Sequence, residues 1–157
     1  GLQRVTQSAS IDTEAAWSPD GRTLYFVSDR GGAPQIYTVP ASGGQPRRVT
    51  FQGSYNISPA ISPDGRYMAY ISQVDAGYRL HLMELASGKV TPLTDTRDAE
   101  SPSFAPNSKL IIYATRAQGR DVLMTTSLDG RIKARLATTQ ADVREPVWGP
   151  HVQPPRR

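Results

Sequence analysis

One phrase returns along this chain at a nearly fixed interval, and that interval limits the folds open to it. Trp17, Ile61, Phe104 and Trp148 begin WSPDG, ISPDG, FAPNS and WGP, at steps of 44, 43 and 44 residues. Val5, Val49, Leu93 and Leu136, in RVT, RVT, PLT and RLA, are spaced 44, 44 and 43. Ile36, Leu80 and Leu123, in QIYTV, RLHLM and VLMTT, keep the same period. Three landmarks in one register mark a structural unit of 43–44 residues.

Each unit reads as four short strands. Strand A runs into the apolar anchor, as at 15–18. Strand B follows the Pro-Asp-Gly turn, at 23–28, 67–72 and 110–115. Strand C is 35–39, 79–83 and 121–125, and strand D is 46–50, 90–94 and 134–136. The runs are β-branched and aromatic and too short and turn-bounded for helices. In SPDG, Pro presets φ at the second turn position. Asp is tolerated at the third, and Gly supplies the positive φ that closes a type I hairpin. SPDG is therefore the A–B turn, and the anchor before it is expected to fill the gap between neighbouring sheets. Gly-containing turns at 42–44, 87–88 and 129–130 join C to D.

Four antiparallel strands repeating every 40–45 residues predict an all-β chain built as a β-propeller. A plain β-sandwich has no reason to keep such a period. The blade repeats fall at about 14–50, 58–94 and 101–137, within a partial propeller over 1–150. A terminal strand D at 2–6 and a strand A at 145–149 flank them, and 151–157 reads as a disordered tail. Rings close with about four to eight blades, so three complete blades are expected to be part of a larger propeller. The other route, association of copies into a ring, leaves a joining blade without strands B and C.

Composition narrows the chemistry. No cysteine is present, which excludes a disulfide scaffold, a thiol nucleophile and a Cys-ligated metal. No apolar run reaches the roughly 18 residues of a membrane span, and no leader pattern opens the sequence, so a secretory signal is expected to be absent or removed. There is no G-x-S-x-G elbow and no phosphate-binding glycine loop. His81 lies among apolar residues of strand C and reads as structural, His151 lies in the tail, and the two have no metal-ligand spacing. No cofactor is expected. Net charge is +4, from 18 Lys and Arg against 14 acids. No basic run exceeds two residues, so nucleic acid is not an expected partner.

The SPDG repeats resemble those of the TolB family. The likeness is fullest in SLDGRIKARLATTQADVREPVWGP (127–150), similar to the family's C-terminal end. It continues in SDRGGAPQIYTVPASGGQPRRVTFQGSYN (28–56) and covers nearly all of the chain. SPDG alone also occurs in propellers of prolyl oligopeptidase-type peptidases, and a gating propeller of such a peptidase is the alternative reading. A self-assembling ring or a lectin-like binder is a third. The TolB resemblance implies a non-catalytic periplasmic protein of the Tol–Pal envelope system, with a six-bladed propeller that binds the outer-membrane lipoprotein Pal. It implies contact with TolA through an N-terminal region outside this sequence, and use of the propeller by some bacteriocins.

Strand direction places A–B and C–D turns on one end of a blade and B–C and D–A loops on the other. The D–A loops, 7–14, 51–58, 95–101 and 138–145, are the longer ones, and long loops on a rigid scaffold usually carry binding. They hold Asp12, Glu14, Asp95, Asp98, Glu100, Asp142 and Glu145 against Arg97 and Arg144, a balance of −5 on a chain of +4. An acidic mouth suits a complementary partner. Thr13-Glu14, Ile57-Ser58, Glu100-Ser101 and Arg144-Glu145 precede strand A at its inner rim. The resemblance assigns a Thr-Glu pair ahead of a propeller tryptophan to the Pal-binding surface, and Thr13 and Glu14 match it. Position alone leaves Thr13 open to a plain strand role. The expected partner-binding residues are Asp12, Thr13, Glu14, Tyr55, Asn56, Asp98, Glu100, Arg144 and Glu145. Tyr55 is either an exposed aromatic anchor or a cover for the blade edge.

Overall fold

The computed structural model describes residues 5–6, 10 and 12–136. They form twelve strands in three four-stranded antiparallel sheets. The first blade is β1 (Asp12–Trp17), β2 (Thr23–Ser28), β3 (Gln35–Pro40) and β4 (Arg47–Arg48). The second is β5 (Asn56–Ile61), β6 (Tyr67–Val74), β7 (Gly77–Glu84) and β8 (Val90–Pro92). The third is β9 (Glu100–Phe104), β10 (Leu110–Ala117), β11 (Arg120–Ser127) and β12 (Lys133–Arg135). Each sheet keeps chain order, A to D, and β5 packs beside both β1 and β9. The A strands therefore gather on the inside, as in a propeller. The number of blades in a closed ring is not set by these three. The expected strand at 145–149 and the tail at 151–157 lie outside the described residues. Of the expected strand D at 2–6, only residues 5 and 6 are described, and they belong to no strand.

Alternation along the middle strands explains why the blades stack. In β6, Met68 and Tyr70 meet Val27 and Ile36 of the first blade. Ala69 and Ile71, on the other side of the pleat, join Phe104, Ile111 and Tyr113 of the third. Both faces of the middle sheet are thus buried, so its B strand reads as a nearly unbroken apolar run. Burial pushes the Tyr70 hydroxyl up to about 12. His81 stands edge-on to Tyr70, with ring centroids 5.6 Å apart. Burial and then the nearby Arg79 charge push its pKa down, which matches a packing role.

The A–B turns form as the SPDG phrase requires. Gly21 and Gly65 have φ of 70° and 74°. Ser18 Oγ donates to Asp20 Oδ1 at 2.6 Å, and the Arg22 N–H donates to the same oxygen at 3.0 Å. Ser62, Asp64 and Arg66 repeat this, and so do Ser127, Asp129 and Arg131 in the last C–D turn. In the third blade Ser108 stands where the others have glycine, and it adopts φ 59°. Its hydroxyl accepts the Asp64 N–H of the preceding blade at 3.1 Å, a bond that glycine cannot make.

The apolar anchors do not behave alike. Phe104 is buried, and Ile61 packs half-buried against the core between the first and second blades. Trp17 is 54 % exposed, contrary to the expectation that it fills a gap between sheets. Each anchor rests on the blade before it, and among the described residues no blade precedes the first.

Candidate partner-binding face

The inner rim is shaped by an irregularity that recurs in every blade. Thr13 pairs with Val27 and Ala16 with Tyr25, so Glu14 and Ala15 together oppose Phe26. Ser58 and Pro59 do the same opposite Tyr70, and Ser101 and Pro102 opposite Tyr113. These are β-bulges, which re-aim side chains at the rims of sheets. Proline is accepted there because a bulge interrupts the ladder. The first bulge residue is left-handed each time: Glu14 at φ 49°, Ser58 at 55° and Ser101 at 51°. A non-glycine residue there costs roughly 1–2 kcal/mol, and such strain concentrates at functional sites.

The bulges set out the predicted rim. Thr13 and Glu14 are exposed. Ser58 Oγ donates to Glu14 Oε2 at 2.6 Å, joining equivalent positions of two blades. The Thr13 hydroxyl has no hydrogen-bond partner among the described residues, so it faces outward unspent. Asp98 and Glu100 are exposed, with Ala99 buried between them. In an extended segment that spacing turns both carboxylates to one side.

Ile57, Ser58, Tyr78, Asp98, Glu100, Ser101, Arg116 and Asp121 are among the residues lining a cleft of about 380 Å³ between the second and third blades. Ile71 and Ala99 contribute apolar surface to it. Tyr78 is held by backbone: its N–H donates to the Arg97 carbonyl at 2.6 Å, and its own carbonyl accepts from Ala99 at 3.0 Å. Gly77 permits this approach, because a Cβ there would lie 2.8 Å from Arg97 Cβ. Arg116 Nε lies 3.6 Å from Asp121 Oδ1 across the mouth of the β10–β11 hairpin.

Two expected contacts prove to be internal supports. Asn56 is fully buried. Its Nδ2 donates to Gln35 Oε1 at 2.8 Å and to the Gln52 carbonyl at 2.9 Å, while Thr50 donates to the same Gln35 oxygen at 2.6 Å. Gln35 Nε2 closes the loop onto the Gly53 carbonyl at 3.1 Å. Asn56 therefore fixes the 51–55 loop from beneath and is not a surface contact. Asp12 is also engaged: Arg30 Nη2 reaches both carboxylate oxygens, at 3.0 and 3.2 Å. Burial raises the Asp12 pKa, but bonds from Ser28, Arg30 and Thr6 outweigh it and hold the carboxyl below its usual value. The Arg30 guanidinium lies 5.2 Å from the Phe26 ring centre and 5.0 Å from that of Tyr37. Asp12 is thus a strut of the first blade rather than free rim charge.

Tyr55 is half-buried and meets Tyr78 edge-to-face, centroids 6.0 Å apart. It braces the cleft wall. Arg144 and Glu145 lie outside the described residues. Reading by D–A loops missed Tyr78, Arg116 and Asp121, which belong to strands joined by B–C turns. The usable signal was topological, because B–C turns share an end with D–A loops. Phe51, 72 % exposed with Arg48 stacked 5.2 Å from its ring centre, was missed too. It follows the Arg-Val-Thr landmark directly.

Comparison with known proteins brings this geometry into a family. The family model described as the TolB beta propeller domain matches residues 1–152. The Tol-Pal system protein TolB of Bordetella pertussis is 51% identical over 149 residues, 95% of this chain and 34% of the relative. The chain thus spans about a third of the length of that relative. The crystal structure of TolB from Acinetobacter baumannii superposes with a TM-score of 0.82 at 40% identity, covering 91% of this chain and 36% of that one. An acylaminoacyl peptidase from Pyrococcus horikoshii superposes with a TM-score of 0.61 at 9% identity, over 80% of this chain and 25% of that one. That likeness shows the fold alone.

Proposed function

This chain belongs to the TolB β-propeller family, and from that premise we propose that its loop end is a protein-binding face for Pal, the peptidoglycan-associated outer-membrane lipoprotein, in the periplasm. The role is recruitment rather than catalysis. The observation that carries it is the row of left-handed bulges at Glu14, Ser58 and Ser101. They present Thr13 and Glu14 on β1 and Glu100 on β9, the inner strands on either side of β5, at one end of the blades. The rigid sheets behind them pre-organise these groups, which lowers the ordering cost of binding. The exposed Asp98, Glu100 and Glu14 give the face an acidic character that selects a complementary surface. No helix among the described residues is long and apolar enough to cross a membrane.

Titration calorimetry with the periplasmic domain of Pal tests the reading. The titrand is a chimera in which these residues replace the matching third of the Bordetella pertussis relative. The expected result is saturable binding that weakens about tenfold or more in Thr13→Arg and in Glu14→Lys, with thermal unfolding unchanged. No binding by the parent chimera, or equal affinity in both variants, overturns the assignment.

A further inference from the structure

We propose that the cleft between the second and third blades receives one basic side chain, Lys or Arg, presented by the protein partner. This rests on the reading of the loop end as a protein-binding face and adds the chemistry recognised there.

The cleft offers two kinds of surface in sequence. Ile57, Ile71 and Ala99 make an apolar floor, and the exposed Tyr78 ring forms a wall. Carboxylates of Asp98, Glu100 and Asp121 stand on the lining. Lys and Arg match that division, with an apolar stem and a charged head, and an aromatic face adds attraction for the cation. Among the described residues neither Asp98 nor Glu100 has a side-chain hydrogen bond or ion pair, whereas Asp121 has Arg116 at 3.6 Å. The lining therefore keeps two uncompensated negative charges beside one neutralised pair. No three acidic or histidine side chains among the described residues converge as metal ligands. The acids are spread along a wall, an arrangement suited to an extended side chain rather than to one chelated ion. The walls are stiff: the Tyr78–Arg97–Ala99 backbone bonds hold one and the β10–β11 pairing holds the other. The volume, about 380 Å³, is at the small end of ligand sites.

The test separates the cleft from the identity of the partner. Backbone amide spectra of the full chain are recorded with N-acetyl-arginine amide, then with the uncharged N-acetyl-norleucine amide and with calcium chloride. The arginine probe is expected to shift the amides of Tyr78, Ala99, Glu100 and Ser101, and norleucine is not. Asp98→Asn with Glu100→Gln should abolish those shifts and weaken Pal binding by the chimera about tenfold, with steeper loss at low salt. Equal shifts from norleucine, stronger shifts from calcium at the same amides, or no shift from arginine overturns the cleft assignment. Arginine shifts without Pal binding keep the cleft and reject Pal. Pal binding that ignores the double variant, with no arginine shift, keeps Pal and rejects the cleft.

Discussion

The two ends of these blades are built by opposite rules. At the turn end the side chains repeat: Ser18-Asp20, Ser62-Asp64 and Ser127-Asp129 make the same bonds at 2.6 Å. At the loop end the backbone repeats in all three blades while the side chains vary: Glu14-Ala15 in the first blade stands where Ser58-Pro59 and Ser101-Pro102 stand in the other two. Glu14, Ser58 and Ser101 share one left-handed conformation, yet Thr-Glu, Ile-Ser and Glu-Ser occupy it. A repeated side chain signals a local structural requirement, met the same way each time. A repeated backbone with changing side chains is a mount on which different chemistry is displayed.

The largest effect that sharpens this contrast comes from the anchors between the ends. Phe104→Ala should cost about 3–5 kcal/mol, because it empties a buried site between two blades. Trp17→Ala should cost clearly less in this chain, since more than half of that side chain already meets solvent. Urea unfolding of both variants checks the order, and equal losses would mean that Trp17 is covered in solution. Next in size, Asn56→Ala should cost about 1–3 kcal/mol by leaving the Gln52 carbonyl without this donor and the buried Gln35 Oε1 with Thr50 alone. It should also loosen the 51–55 loop, read as faster amide exchange there and not at the A–B turns.

The smallest effect is a pH dependence of the turn end. Ser62 first, with the Arg66 N–H, holds the Asp64 carboxyl below its usual value, and Ser18 does the same for Asp20. A carboxyl whose folded pKa lies below the unfolded one stabilises the fold above the unfolded value, about 3.8. That stabilisation is lost as pH falls through the lower folded value. The melting temperature should therefore drop on acidification below about pH 4, and the drop should shrink in Asp20→Asn with Asp64→Asn. An identical acid profile in the double variant would place the sensitivity at Asp12 or Asp129 instead, whose carboxyls are also held below their usual value.

Much of the scaffold could be read before any coordinates. Strand β2 occupies 23–28 as expected, because an apolar run between Pro-Asp-Gly and Arg-Gly-Gly has no other reading. The hairpins of the later blades extend further, over Tyr67–Val74 and Gly77–Glu84. Their connections are only Asp75-Ala76 and Gln118-Gly119, so pairing continues to the turn. The bulges were invisible in the sequence, since none of the three positions carries the glycine that normally announces a left-handed residue. The burial of Asn56 was hidden for a different reason. Its partners Gln35 and Gln52 lie 21 and 4 residues earlier, and no periodicity links such polar groups across a loop. The cleft needed both blades together, as Tyr78 and Arg116 belong to different repeats.

The bond between the Asp64 N–H and Ser108 has a mechanical consequence. It clasps the second and third blades at the end away from the cleft, and the Tyr78–Arg97–Ala99 backbone bonds clasp them again at the cleft end, where Ala99 leads into β9. The seam is therefore closed at both ends around a shared apolar core, so the cleft is a fixed notch, its width set by backbone rather than by the side chains that line it.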